Sequence, residues 1–374
     1  MNVTEQLDRW VNARLIDQLT AERILRYEKD AARHKPRWPA ILAIGFGALM
    51  MCAGILLFVA AHWDDLSPSN RFALVLGLVA IFHLAAGALG SKVPSIGVAL
   101  HLVGTATLGA GIYLAGQIFN LQEHWPGGVM LWALGAVLAW VTLRQWPQAL
   151  MAAMLIPWWL VGEWTVATEH YAGAWTLAPQ GLLLLAILYL SVTPREPNRY
   201  LRIGLRWVGS LALLPCVGAV MFTGDAWWRY QSKPPAGLML LGYAAAYLPV
   251  LALAYLSRKA RAIPIFVSAF WVAVLGLITR YQSAEHNPAV YLWVALGACA
   301  FCYWGMRENS KALINWGCAI FALDVVTFYF SDVLDKLGRS MGLILLGAIF
   351  LAGGWVLNRL RSDMIARAAA GGAQ

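Results

Sequence analysis

Several short polar stretches of this sequence combine carboxylates with histidine and aromatic residues. Aromatic rings present apolar faces on which sugars stack, and carboxylates accept hydrogen bonds from hydroxyl groups. The combination is typical of a sugar or polyol site, although histidine beside acids is equally typical of a pH sensor or a divalent-ion site. The residues are His62, Trp63, Asp64, Asp65, Glu123, His124, Trp125, Glu163, Glu169, His170, Asp225, Trp227 and Trp228.

A second group of polar residues lies inside otherwise apolar runs. Asp324 falls deep within one run, where a charged carboxylate in a membrane costs about 3 kcal/mol. His83 and His101 are equally distant from Lys92, at a tight turn between two runs, so we expect them to face each other at one depth. Such groups form a proton relay, or simply bond neighbouring helices together. The candidate intramembrane polar residues are Asp324, His83, His101, Gln117 and Asn120.

The sequence carries no recognisable catalytic, nucleotide-binding or metal-binding signature. It has no G-x-x-x-x-G-K-[ST] and no H-E-x-x-H motif. All 5 cysteines fall in apolar runs, which argues against a disulfide framework. Cys299 and Cys302 form a C-x-x-C, but without further ligands nearby this spacing only puts two small residues on one helix face. We therefore predict no cofactor and no metal, and an enzyme is the less favoured class.

The apolar content decides what kind of fold must position these residues. The sequence is 60% hydrophobic and 13% charged, against about 25% charged in an ordinary soluble domain. Its apolar residues form runs near the ~20-residue length that crosses ~30 Å of hydrocarbon. We predict an all-α fold, a polytopic transmembrane helix bundle of about twelve spans. The runs are 38–62, 70–90, 94–116, 128–144, 149–163, 175–192, 203–223, 236–256, 262–280, 288–305, 312–330 and 338–360.

The distribution of charge orients this bundle. With the N-terminus in the cytoplasm, most of the 28 lysines and arginines fall on the cytoplasmic side, as the positive-inside bias requires. Both termini are then cytoplasmic, with the bundle at 38–360 and a tail at 361–374. The runs at 128–144 and 149–163 are short, and a single re-entrant unit is the alternative for that pair. Loop topology and anionic lipid headgroups account for the net charge of +9, so no nucleic-acid partner is expected.

This orientation places the acid–histidine–aromatic stretches on the outer face. They would form a ligand site for a polar or glycan-like substrate there. Tryptophans also collect at membrane interfaces as an anchoring belt, and this second interpretation stays open.

Residues 1–37 have the pattern of a cytoplasmic helical hairpin. Thr4 and Asp17 are suited to cap its two helices. Leu19, Ile24 and Leu25 of the second helix are expected to pack back on Trp10 and Leu15. The hairpin is either a binding site for a partner protein or a pair of helices lying on the lipid headgroups.

Two motifs then carry a family resemblance. The first apolar run ends in LLFVAAHWDDLSPSNRFALVLGL, and the third reads GTATLGAGIYLAGQIFNLQEHW. They resemble the F-x-A-x-N-W and G-A-G-I-x-L-x-G-Q motifs of a bacterial family of predicted membrane proteins, domain of unknown function 2157, over roughly residues 5–150. His62 departs from the family, which usually has Asn there. The resemblance implies a multi-pass protein of the bacterial cytoplasmic (inner) membrane, and it brings no activity with it.

Two classes of function fit the sequence. A transporter or flippase-like protein would handle a polar or lipid-linked envelope substrate, through a cavity lined by Asp324 and the third span. A non-transporting scaffold or sensor would instead signal through the N-terminal hairpin. Twelve spans with intramembrane polar groups favour transport slightly, and an intramembrane transferase is a distant third.

Overall fold

A computed structural model describes residues 3–33, 67–118, 124–171, 173–196, 198–222, 232–280, 287–333 and 359–364, with isolated helical positions at 43–57 and 347–355. Within these ranges the protein is helical and contains no β-strand. The helices are α1 (Val3–Asn12), α2 (Gln18–Arg33), α3 (Pro68–Gly90), α4 (Pro94–Ile118), α5 (Trp125–Leu143), α6 (Trp146–Thr168), α7 (Leu177–Leu190), α8 (Arg199–Phe222), α9 (Ala236–Arg258), α10 (Ile263–Ile278), α11 (Pro288–Arg307) and α12 (Lys311–Phe328). Residues 1–107 and 108–374 form two compact units.

Eight helices in the described part of the chain are long and apolar enough to cross a membrane. These are α3 to α6, α8, α9, α11 and α12, whose last turns continue to Ser331. The runs predicted at 175–192 and 262–280 correspond to α7 and α10, which have only 14 and 16 residues. The runs at 38–62 and 338–360 lie outside the described residues apart from isolated positions. The all-helical fold is confirmed, and the count of twelve spans stays a prediction.

Prolines set the start of many of these helices. Pro68, Pro126, Pro147, Pro264 and Pro288 each occupy one of the first two positions of a helix. A proline fits there because its ring fixes φ at a helical value and the first-turn N–H groups have no intrahelical partner. The helix starts are therefore encoded locally, before any packing is formed.

The connection between α5 and α6 is very short. Arg144 ends α5 in the left-handed conformation, with φ 53°, and its N–H bonds the carbonyl of Trp140. The chain then turns directly into α6. The two helices have 19 and 23 residues, and each is long enough to cross a membrane by itself. Pro157 lies inside α6 without ending it.

The N-terminal hairpin forms as two contacting helices. Leu7 of α1 is buried at 4% exposure, whereas Leu15 and Leu19 are 71% and 58% exposed. The expected packing of Leu19 on Leu15 is therefore wrong, since both side chains are mostly exposed, Leu15 in the turn and Leu19 at the start of α2. Ile24 and Leu25, further along α2, are half-buried. Asp17 caps α2 as predicted: Thr20 donates hydrogen bonds to its carboxylate, and these lower the pKa of Asp17.

Replacement of Asp17 tests this cap. In Asp17→Ala, the first N–H groups of α2 lose their acceptor, so their amide hydrogens should exchange faster than in the parent protein. Asp17→Asn should remain close to the parent because asparagine caps equally well. Hydrogen exchange of the full-length protein in nanodiscs measures both, and equal protection in the alanine variant would contradict the assignment. Because the folded pKa is lowered, the contribution of Asp17 to stability is present above pH 3.8 and is lost as the pH falls through the folded value.

The second unit is built around α7. Leu183, Leu184, Ile187 and Leu190 of this helix are fully or almost fully buried, and α8, α9 and α10 pack against it. α7 therefore lies largely in the interior of the unit.

Polar contacts tie the ends of α7 to the helices around it. Gln180 accepts a hydrogen bond of 2.9 Å from the hydroxyl of Tyr247 in α9. Arg258, at the end of α9, donates to the carbonyl of Ser191 and to Glu308 at 3.2 Å. These contacts fix both ends of the interior helix relative to α9 and α11.

Candidate functional site

The α5–α6 hairpin brings together two residues that the sequence places in separate polar stretches. His124 immediately precedes α5, and Glu163 lies in the last turns of α6. The Nε2 atom of His124 is 3.1 and 2.9 Å from the two carboxylate oxygens of Glu163. An ionised carboxylate only accepts, so Nε2 carries the proton and donates. Both side chains keep some exposure, 53% for His124 and 35% for Glu163.

A third residue, which the sequence analysis missed, completes this arrangement. The indole Nε1 of Trp159 donates to Oε1 of Glu163 at 2.8 Å. Trp159 and Glu163 are separated by one helical turn on the same face of α6, and this i, i+4 spacing is the signal that could have revealed the pair. We call His124, Trp159 and Glu163 the Glu163 cluster. Two donors thus fix the orientation of one carboxylate.

Trp125 packs beside the Glu163 cluster, against Gly162 of α6. Its ring packs so closely on Gly162 that an added Cβ there would lie 2.8 Å from the ring. Only glycine allows this approach. It keeps the start of α5, and with it His124, against the end of α6.

The Glu163 cluster lies at one end of an apolar groove. The groove has a volume of about 650 Å³ and is lined by α5, α6, α7, α8 and α9. Its lining is almost entirely aliphatic and aromatic, and Glu163 is the ionisable carboxylate within it. Small residues create much of the space: Ala149, Ala153, Ala178, Gly181, Ala245 and Ala246.

The groove is about as long as a membrane is thick. Along α6 it extends from Ala149 to Ala167, about 27 Å at a rise of about 1.5 Å per residue. The hydrocarbon core of a bilayer measures ~30 Å. Leu241 and Leu253, on the α9 side, are 69% and 50% exposed, so the described residues leave much of this wall uncovered. The shape and lining suit an extended hydrocarbon chain.

The other predicted outer-face residues divide into two sets. Glu169 and His170 pair with each other at 3.1 Å on the surface, and Ser232 bonds the carbonyl of His170 at 2.8 Å. Neither lines the groove. Most of the remaining predicted residues lie outside the described residues: His62, Trp63, Asp64, Asp65, Asn120, Glu123, Asp225, Trp227 and Trp228. Gln117 belongs to α4, and its side chain is not described.

Asp324 is buried in the second unit and does not line this groove. It is 6% exposed, and its Oδ1 has no hydrogen-bond partner in the described part of the chain. The cavity expected for transport was to be lined by Asp324 and the third span, but the groove is lined by other helices. The difference arises because the small residues that open the groove are on α6, α7 and α9.

The C-x-x-C does not act as a unit. Cys299 is exposed, whereas Cys302 turns towards Cys318 of α12, with 4.0 Å between the sulfur atoms. Among the described residues no group of three or more His, Cys, Asp or Glu side chains is arranged to hold a metal.

The expected proximity of His83 and His101 is confirmed within the first unit. Their Nδ1 atoms are 2.9 Å apart, and the ring centroids are 5.2 Å apart. At this distance one Nδ1 donates and the other accepts, so two neutral rings would carry their protons on different nitrogens. Gly104 makes room for it, because an added Cβ would lie 2.8 Å from Nε2 of His83. A functional role for the pair stays a prediction.

Comparison with known proteins now places the N-terminal part of the chain. Residues 8–149 match the sequence model of the family described as predicted membrane protein (DUF2157). No curated protein and no solved structure matches the chain. The resemblance predicted over residues 5–150 is confirmed, and the chain is a membrane protein.

The DUF2157 match covers the two histidines of the first unit and His124 of the Glu163 cluster. It ends at Ala149, where the groove lining on α6 begins. Glu163, Trp159 and nearly all of the groove therefore lie beyond the matched residues, and their role must be argued from the structure of this chain.

A glycine substitution tests the histidine pair. Gly104→Ala should push the His83 ring away from His101 and lower thermal stability, since overpacking a buried contact costs about 1–3 kcal/mol. Gly87→Ala on α3 is the matched control, because an added Cβ there meets nothing within 4 Å. Unfolding midpoints in one detergent compare the two variants. Equal midpoints would contradict the close seating of His83 on Gly104.

Proposed function

We propose that this protein binds a lipid-anchored envelope substrate in the α6–α9 groove and moves it in the manner of a flippase. The single observation that carries the proposal is the groove itself: about 650 Å³ of apolar space extending along most of α6. Such a groove stabilises an apolar chain through the many dispersion contacts that its walls offer. The chain of a lipid is the ligand that fits its length and lining.

The lining argues against a freely polar substrate in this groove. A sugar or an ion crossing the membrane needs hydrogen-bond partners along its path, because each unsatisfied polar group costs several kcal/mol in hydrocarbon. The groove offers such partners at its Glu163 end, while its middle is formed by residues such as Leu182, Leu185 and Val250. The observations favour the lipid-linked alternative over a soluble polar substrate.

The predicted topology gives the groove a direction. Arginines gather where α8 begins, including Arg195, Arg199 and Arg202, and the positive-inside bias assigns that end to the cytoplasm. Leu201 and Leu205 line the groove at this end, and the Glu163 cluster lies at the other. In the bacterial cytoplasmic membrane, the cluster would then face the envelope, where a lipid-linked substrate is delivered.

A second function is favoured by one specific observation. The hairpin of α1 and α2 exposes large apolar side chains on a charged background, with Leu15 at 71% and Tyr27 at 73%. This surface suits a partner protein, as a scaffold or sensor would require. The groove would then serve as the input, sensing a lipid without moving it.

A tryptophan placed in the groove tests lipid binding. Ala245→Trp should fill the α9 wall and reduce the amount of lipid that remains bound to the purified protein in native mass spectrometry. Ala252→Trp is the control, because Ala252 is an exposed alanine of the same helix that does not line the groove. Equal lipid retention by both variants would refute chain binding in the groove.

Movement is measured separately in proteoliposomes that carry a fluorescent lipid, with a quencher added outside. Flippase-like activity predicts that the protein increases the fraction of fluorescent lipid that the quencher reaches. Ala245→Trp should abolish this increase. Retained lipid without any movement would refute transport and favour the sensor.

A further inference from the structure

The Glu163 cluster has a composition that the groove alone does not require. A chain-binding groove needs only apolar walls, yet a carboxylate stands at its end, held by two donors. We infer that the cluster binds the headgroup of a glycolipid, an uncharged sugar whose hydroxyl groups donate to Glu163. This inference rests on the proposed function, because it assigns the headgroup of the lipid whose chain occupies the groove.

The carboxylate has acceptor capacity left over for a ligand. Each of its oxygens accepts two hydrogen bonds, and the structure supplies the His124 Nε2–H, shared between both oxygens, and the indole N–H of Trp159 on Oε1. Glu163 also lines the groove and is 35% exposed. No other described residue donates a hydrogen bond to this carboxylate, so its remaining acceptor positions are offered to hydroxyl donors that enter from the groove.

The indole ring of Trp164 is held next to the carboxylate in the sequence of α6. Trp164 also lines the groove, and its Nε1 is held by the carbonyl of Ala174 at 2.9 Å. Its ring packs against Gly242 of α9. Because the N–H group is already bonded within the protein, Trp164 offers the ligand its flat apolar ring. A ring beside an oriented carboxylate matches a sugar, which has apolar C–H faces and hydroxyl edges.

Charge distinguishes among the possible headgroups. A phosphate close to Glu163 would bring two anions together, and like charges repel more strongly where water is partly excluded. An ammonium group would have to compete with His124, which already contacts both oxygens of the carboxylate. An uncharged sugar avoids both costs and adds hydrogen bonds to a charged acceptor, which are about twice as strong as neutral ones.

The test compares lipids with the same acyl chains and different headgroups. Full-length protein is titrated with monoglucosyl-diacylglycerol, diacylglycerol, phosphatidic acid and phosphatidylethanolamine, and binding is measured by native mass spectrometry. The glucosyl lipid should bind about tenfold more tightly than diacylglycerol, as expected for hydrogen bonds to a charged group. Tighter binding of phosphatidic acid or phosphatidylethanolamine than of the glucosyl lipid would overturn the inference.

Substitutions then assign the preference to Glu163. Glu163→Gln should weaken the glucosyl lipid to the level of diacylglycerol while leaving diacylglycerol binding unchanged. Glu169→Gln is the matched control, since Glu169 follows the same helix but pairs with His170 outside the groove. An unchanged preference for the glucosyl lipid in Glu163→Gln would overturn the inference.

Trp159→Phe provides a second variant should the charge-removing change disturb folding. It deletes one N–H donor and keeps an aromatic ring, so Trp159 is tested as a positioning residue. The ratio of glucosyl-lipid to diacylglycerol affinity should fall by about threefold, a readout that general destabilisation leaves unchanged because it affects both lipids. An unaltered ratio would contradict the role assigned to the cluster.

Failure of the inference differs from failure of the proposed function. If Ala245→Trp abolishes diacylglycerol binding but the protein shows no headgroup preference, the glycolipid inference is overturned and the chain-binding groove stands. Diacylglycerol binding that Ala245→Trp does not alter overturns the groove, and with it the inference.

Discussion

The second unit depends on the burial of α7, a helix too short to be exposed to lipid along its whole length. Burying most of the surface of a helix requires neighbours that approach closely, and Gly209 supplies this on α8: an added Cβ would collide with the backbone of α7 near Leu190. Burial also requires partners for polar groups, because an unpaired one costs about 1–3 kcal/mol. Tyr189 meets this requirement by donating to the carbonyl of Ala153 in α6 at 2.8 Å. Helices α6, α8 and α9 are thereby fixed around one interior element.

The groove is a consequence of the same arrangement. One face of α7 forms its floor, while α6 and α9 form its walls. Gly181 on the floor faces Ala246 on the wall, where an added Cβ would lie 3.1 Å from that of Ala246. Larger residues at Gly181, Ala178 or Ala245 would fill the space with protein. The volume of the groove therefore depends on the size of the residues where these helices meet. The hydropathy of the sequence does not predict it.

Sequence reasoning succeeded where the residues concerned are close in the chain or lie at equal distances on either side of a turn. Prolines and apolar runs located the helices, and equal distance from Lys92 located the His83–His101 contact. The same argument applied to the turn at Arg144 would have paired His124 with Glu163, since both lie nearly equally far from it. The groove was not predictable in this way, because it depends on which small residues of α6, α7 and α9 meet, and α9 is separated from α7 by the whole of α8. The interior position of α7 was missed for the same reason, as a buried helix and a lipid-facing one are both apolar.

The Glu163 cluster is costly to maintain, and this cost bears on its role. A carboxylate at the margin of hydrocarbon loses hydration, and its two hydrogen bonds recover only part of the loss. The contact of Trp125 with Gly162 already joins α5 to α6 at this level, so the hairpin does not need an ionisable pair to hold its ends together. An apolar residue in place of Glu163 would extend the lining of the groove without that cost. A carboxylate that weakens the apolar character of the groove at one end, and that the packing does not require, is therefore the feature on which the proposed headgroup site rests.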